Sequence, residues 1–305
     1  MTATAPTAPA PELGLPEVEQ KKPEPGDQVL WSVTTVIGVL EKPALLYWAA
    51  EQTAKKALKL RTSLDARIEQ EGELAVVKQL RDARFDKRDL KRDGLTDAAF
   101  GTHVHGLCES YALSGVKPAI DVQVFGIDAP LAQACLDRFD EWLHEFQPEY
   151  VATEVMVATP TYGIAGTCDT FLNIGGVRFV GDYKSSKKSV DAQGKQTGLY
   201  PEIALQLAAY RHAELAAVWR PRRYEQFRRR YYLIGAAELA QAVAVPEVDY
   251  GLGIKITPEH CTAYPIKCDA EIYGYFLNCL EVARYQFEAS KQVIGSPLVT
   301  TGDAA

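Results

Sequence analysis

Asp182, Tyr183 and Lys184 stand together in the run VRFVGDYKS (177–185), an acid and a lysine two residues apart. On a strand this spacing sends both side chains from the same face. Phe179 and Val180 precede the acid, so the strand reads as mostly buried. Upstream lie GIAGTCDTFL (163–172) and the pair Gly175-Gly176. Paired glycines favour a two-residue hairpin turn, in which 174 faces 177, 173 faces 178 and 169 faces 182. Asp169 then becomes the cross-strand neighbour of Asp182, with β-carbons about 4.5–5.5 Å apart. Two carboxylates so placed repel, and they stay in water, share a proton or hold a cation between them. Apolar neighbours favour the cation.

The chemistry such a face offers is hydrolysis of a phosphodiester. Mg²⁺ or Mn²⁺ accepts one or two carboxylates while keeping waters and phosphate oxygens as its other ligands, and supplies a Lewis acid. Lys184 would position or deprotonate the attacking water and stabilise charge developing on the phosphate. The competing reading is an ordinary Asp182–Lys184 ion pair at a strand end with Asp169 exposed beside it, because Asp-x-Lys alone is a common triplet.

Other residues could join this site. His105 and Glu109 are four apart on an expected helix and share a face, which suits one metal ligand and a group that orients it; a structural histidine is the alternative. His103 lies on a different face. Glu154 opens the first strand of the meander, either as an outer group of the site or as an exposed strand-end acid. Residues 220–230 read RPRRYEQFRRR, six arginines interleaved with Tyr224 and Phe227. Arg228, Arg230 and their neighbours would bind phosphates and stack bases, or line a solvated strand edge. Lys187, Lys188 and Lys195 follow the DYK strand and would touch a nucleic-acid backbone or stay at the surface.

The elements that must position these groups change character along the chain. Residues 1–28 hold six prolines and few large apolar side chains, so a disordered tail is expected, as it is for 298–305. Ser32 or Thr35 would cap a helix running by Leu40, and a second helix follows Pro43. Residues 51–99 suggest amphipathic helices with a solvated face. A helix is expected from near Gly101 through Tyr111, and another over 129–146. After Pro148 the period becomes two, giving strands at 154–158, 163–172 and 177–185. Pro201 opens a helix over 202–217. Strands are expected in FRRRYYLIG, GLGIKIT and CTAYPI, and a closing helix over 270–289. The order helix, meander, helix, strand predicts an α/β fold with a mixed central sheet, since a strand reached through a crossover helix can pair in parallel. The domain expected spans 29–297: a helical region (29–100), a catalytic core (101–235), then C-terminal strands and a helix (236–297).

Composition bounds the alternatives. The 305 residues are 47% hydrophobic, ample for a core. No apolar stretch reaches the roughly 18–20 residues of a membrane span, and no signal-peptide pattern opens the chain, so no membrane partner and a cytoplasmic location are expected. The net charge of −7 argues against broad adhesion to polyanions, leaving the arginine run as the local exception. Six cysteines without C-x-x-C spacing read as reduced thiols.

The series GTHVHGLCE, EVMV, GIAGTCDTFL, GDYKSSK and YPEIALQLAAYR resembles the ordered motifs of the PD-(D/E)XK nuclease superfamily, in its RecB-like exonuclease branch. It is especially similar to phage-encoded, CRISPR-associated RecB-like exonucleases, over about residues 95–215. The resemblance implies metal ligation by His105, Asp169, Asp182 and the Tyr183 backbone carbonyl, catalysis by Asp169, Asp182 and Lys184, and Glu154 as an accessory acid. It makes Gln206 and Tyr210 the branch's Q-x-x-x-Y pair, which shapes the site or the DNA path. The implied activity is a Mg²⁺- or Mn²⁺-dependent DNA exonuclease of recombination, repair or DNA processing, in host cytoplasm if phage-encoded. A nuclease fold that binds DNA without cutting is the alternative. Iron–sulfur members of the branch carry a cysteine before the histidine motif. This chain has none before Cys108, and Cys261, Cys268 and Cys279 are loosely spaced, so no cluster is expected.

Overall fold

Five residues, Gln28–Ser32, are too few to show an alternation of two, yet they form the strand on which one edge of the site depends. The computed structural model describes residues 22–40, 43–85, 94–190, 194, 196–217, 222–226 and 229–296. Both expected tails lie largely or wholly outside them. The chain enters as β1 (Gln28–Ser32) and turns at once into α1 (Val33–Ile37). The sequence reading expects helix alone here. The strand forms because its backbone is taken up on both sides, by partners remote in sequence. Ser32 occupies the helix N-cap but bonds the Thr34 hydroxyl at 2.7 Å and caps no backbone N–H. Thr35 instead exchanges hydrogen bonds with the Arg230 backbone.

The amphipathic region forms α2 (Pro43–Leu60), α3 (Leu64–Glu71) and α4 (Glu73–Arg81). Next comes α5 (Asp97–Ser114), which begins four residues before the expected Gly101 because the Thr96 hydroxyl accepts from Ala99 N at 3.1 Å and caps the helix there. It ends at Gly115, which is left-handed with φ 66°. After a single turn, α6 (Val122–Phe125), comes α7 (Ala129–Phe146), with the limits the periodicity predicts. Cys135, Leu136, Phe139 and Trp142 form its buried stripe.

The meander follows as β2 (Glu149–Thr159), β3 (Ile164–Ile174) and β4 (Val177–Ser185). The register around Gly175-Gly176 is the one counted from sequence, with Ile174 opposite Val177 and Asn173 opposite Arg178. Both glycines have positive φ, 60° and 86°, as the turn requires. Helix α8 (Glu202–Arg211) then stops six residues short of the expected 217. Leu215–Ala216 leaves it as β5, because the outer edge of β2 offers unpaired backbone groups: Ala158 faces Leu215, and Ala217 N donates to Met156 O at 2.8 Å.

The arginine run forms a hairpin of β6 (Arg222–Gln226) and β7 (Arg229–Ile234). The short α9 (Ala236–Leu239), β8 (Tyr250–Ile256), β9 (Cys261–Ile266) and α10 (Ala270–Phe287) complete the chain. The sheet order is β6-β7-β1-β3-β4-β8-β9, with β2 on β3 and β5 on β2. Pairs β1–β3 and β4–β8 are parallel and the rest antiparallel, so the fold is α/β with a mixed sheet. The parallel partner of β4 is β8, not the first strand after α8. Helices cover both faces: α1, α8 and α10 pack in one apolar cluster around Phe171, Val180 and Leu207, and α5 with α7 in another around Phe139, Leu172 and Ile254. Among the described residues no helix is long and apolar enough to cross a membrane.

One ion cluster ties β1 to the hairpin across 195 residues. Arg222 donates to Asp27 through both Nη atoms, at 2.7 and 2.9 Å, and to Glu238 at 2.7 and 3.2 Å. These bonds hold the Asp27 carboxyl below the usual carboxylate range. A lowered folded-state pKa means a contribution that is full above an unfolded value near ~4 and is lost as the pH falls through the folded value. Asp27→Asn should therefore cost on the order of 1 kcal/mol at pH 7 and progressively less below about pH 4, measured by urea denaturation across pH.

Candidate metal centre

The site begins as a shortage of backbone partners. β2 runs along one edge of β3 from end to end. The other edge is divided: β1 takes Ile164 and Ala165, β4 takes Thr170 to Ile174, and residues 166–169 pair with neither. Beyond the Thr170–Gly181 pair the next link is made by a side chain, as the Asp169 carboxylate accepts from Tyr183 N at 2.8 Å. On an extended strand a residue's N–H and C=O leave on the same edge, so the Tyr183 carbonyl faces this gap too.

Glu154 is brought in from β2. Thr153 pairs with Thr170 and Val155 with Cys168, which sets Glu154 opposite Asp169. Its φ is 49°, a left-handed value that costs a non-glycine residue about 1–2 kcal/mol. Such strain persists where surrounding structure over-determines it, and it gathers at functional sites. From α5, His105 Nε2 lies 3.2 Å from Glu154 Oε1 and 3.6 Å from Asp169 Oδ2. The ring rests edge-on against Tyr183, 5.3 Å between centroids.

Asp182 faces the opposite helix layer. It is almost wholly buried, accepts from Gln206 Nε2 at 2.8 Å and pairs with Lys184 Nζ. Gln206 also donates to the Tyr210 hydroxyl, at 3.1 Å. Tyr210 in turn fits against Gly166, where a β-carbon would lie 2.5 Å from its ring.

The charges of this cluster are mutually dependent. Burial and then Asp182 raise the Asp169 carboxyl to about 7, against the opposing pull of His105 and Lys184. Burial works against charge on His105, but Asp169, Glu154 and Asp182 together outweigh it and raise the imidazole to about 9. Glu109, one turn on along α5, is raised to about 7 by burial and by Glu154. Burial opposes the Lys184 charge and its two aspartates overcome that, so its pKa is raised.

These donors suit a divalent cation. His105 Nε2, Glu154 and Asp169 offer ligand atoms all within 4.8 Å of one another, the one such group among the described residues. Nε2 is buried without a well-directed hydrogen bond, next to carboxylates that are acceptors only when ionised. One imidazole and two carboxylates make a nitrogen–oxygen set appropriate to a first-row divalent ion.

The sequence-derived residues thus separate. His105, Asp169, Asp182, Lys184 and Gln206 converge. Glu154, read as an accessory or exposed acid, sits inside the ligand group, and Asp182, read as a ligand, lies outside that 4.8 Å group beside it. The cause is the parting of β3 from β4 while β2 stays in register. The β2–β3 connection is longer than a two-residue turn, so counting could not set that register in advance. Tyr210 is 2% exposed and accepts a hydrogen bond from Gln206, so it shapes the site from within the core. Lys187, read as a backbone contact, is held by Asp128 at 2.6 Å and Leu95 O at 2.7 Å. Its ammonium therefore braces the loop before α5. Arg230 is exposed on β7, and Arg228 and Lys195 lie outside the described residues. His103 packs against Phe125.

Gly166→Ala places its new methyl against the Tyr210 ring, so a loss of about 1–3 kcal/mol from overpacking is expected in a denaturant titration. An unchanged midpoint would show that Tyr210 moves without cost. No protein-family model matches the sequence, and no curated protein matches it.

Proposed function

We propose that this protein is a metal-dependent deoxyribonuclease that hydrolyses phosphodiester bonds, acting from a DNA end as its resemblance to RecB-like exonucleases implies. The observation that carries the reading is the convergence of His105, Glu154 and Asp169 in a strand gap beside the Asp182–Lys184 pair. A cation bound there supplies a Lewis acid for the phosphate and acidifies a water molecule. The imidazole nitrogen favours Mn²⁺ over Mg²⁺ in this set.

The chain's own residues do the positioning. Tyr183 N–H fixes one oxygen of Asp169, and its carbonyl faces the same gap. Gln206 holds Asp182, which holds Lys184 with its side chain 46% exposed, at the open side of the site. From there the Lys184 ammonium orients the attacking water and offsets negative charge gathering on the phosphoryl oxygens. The arginine-bearing hairpin lies two strands from β3, through β1, and offers cationic groups to a DNA backbone.

The test uses end-labelled linear and closed circular DNA, single- and double-stranded, with Mn²⁺ or with EDTA. Linear DNA should be degraded with Mn²⁺ and left intact with EDTA, and Asp182→Asn should slow the reaction about a hundredfold or more while DNA is still bound. Binding without cleavage in every metal would instead make it a DNA-binding module. Circles lost as fast as linear molecules would remove the exonuclease part alone.

A further inference from the structure

The arginine run contains two neighbouring residues with opposite fates. Arg222 is saturated by Asp27 and Glu238. Arg223, next along β6, has its side chain on the other face and joins no salt bridge among the described residues. Its Nη2 donates to Thr167 Oγ1 at 2.8 Å, and Thr167 Oγ1 is 3.0 Å from the Tyr232 hydroxyl. The guanidinium carbon lies 5.5 Å from the centre of the Tyr232 ring, and Nε is buried without a partner. A half-buried cation set by a hydroxyl and a ring, with no salt-bridge partner among the described residues, is an expensive arrangement unless an anion arrives.

Its position says which anion. Thr167 precedes Asp169 by two residues on β3, about 7 Å along the strand. In the β2–β3 register Thr167 faces Met156 and Asp169 falls opposite Glu154, so Arg223 stands beside the metal group, toward the hairpin. That offset is comparable to the spacing of neighbouring phosphates on one nucleic-acid strand. A guanidinium offers a planar fork for phosphate oxygens, and among the described residues that of Arg223 is bonded to a hydroxyl and not to a carboxylate.

We infer that Arg223 holds the phosphate adjacent to the scissile one, fixing which bond of a DNA strand enters the metal centre. The inference rests on the nuclease reading and adds to it a substrate-binding residue that sets register along the strand. Thr167 and Tyr232 act as positioning residues, keeping the fork aimed along β3.

Binding of a fluorescent single-stranded oligonucleotide is measured in an Asp182→Asn background over a salt series, with and without Arg223→Ala and Arg223→Lys. Cleavage of the same oligonucleotide is followed in the Asp182 protein. Arg223→Ala should weaken binding about 10- to 100-fold and flatten the log Kd against log salt slope by about 0.7, the share of one phosphate on a single strand. Arg223→Lys should restore the slope but not all the affinity, and shift the pattern of product lengths. Both variants are checked by circular dichroism, and if Arg223→Ala does not fold, Arg223→Gln replaces it. Affinity and slope within twofold of the parent in a folded variant overturn the inference. If the Asp182 protein cuts no DNA while Arg223→Ala loses affinity and slope, the phosphate contact stands and the nuclease reading falls.

Discussion

Everything at this site follows from three carboxylates set on adjacent strands, Glu154, Asp169 and Asp182, at the level where the sheet opens. Like charges about 4 Å apart repel by on the order of 4 kcal/mol even at an effective dielectric of 20, and burial adds the cost of lost hydration. The chain offsets this with positive or donating groups only: His105, Lys184, Gln206 and the Tyr183 N–H. Even so, burial and then the Asp182 charge keep the Asp169 carboxyl raised, and the acids keep the His105 imidazole raised against burial. A divalent cation held by His105, Glu154 and Asp169 would complete the cancellation.

Holding such a cluster requires rigid support from both sides. Helix α5 brings His105 from one face and α8 brings Gln206 from the other, each seated in its own apolar cluster. The approach of α8 is close enough that glycines must face it. A β-carbon at Gly166 would strike Tyr210, and one at Gly253, the β8 partner of Asp182, would lie 3.0 Å from Ile203 and 2.4 Å from Leu199. Packing of the helix and aim of the amide are therefore one constraint, since Ile203, Gln206 and Tyr210 project from the same two turns.

Strand geometry also divides what composition presents as one basic patch. Alternation along β6 and β7 sends Arg223 and Tyr232 to one face, while Arg229 stacks on Phe287 at 3.9 Å on the other. Arg222 is spent on Asp27 and Glu238, joining β1 and α9 to the hairpin. Of the hairpin's described arginines, Arg223 is the one hydrogen-bonded to β3, at Thr167, two residues from Asp169. Net charge near a site is thus a poor guide to which cations a phosphate would meet.

By itself the sequence determined the features governed by short-range chemistry. The limits of α7 follow from its 3.6 period, and the β3–β4 register as far as Thr170–Gly181 from two glycines that fix a turn. The expected pairing of Asp169 with Asp182 does not form, because β3 parts from β4 there and the Asp169 carboxylate accepts from Tyr183 N instead. The mixed sheet was legible in motif order, whereas placing His105 and Gln206 beside Lys184 rested on the resemblance of those motifs and not on spacing. Tertiary structure alone decided that Gln28–Ser32 is a strand, because its partners are Ile164, Ala165 and residues 231–234, far along the chain. It also decided that α8 gives way to β5, that Glu154 turns into the ligand group, and that Lys187 is taken by Asp128. The division has a physical cause. A turn or a helical stripe is set by interactions within a few residues, whereas a polar side chain has many equivalent partners in sequence and receives one only when packing brings distant strands and helices together.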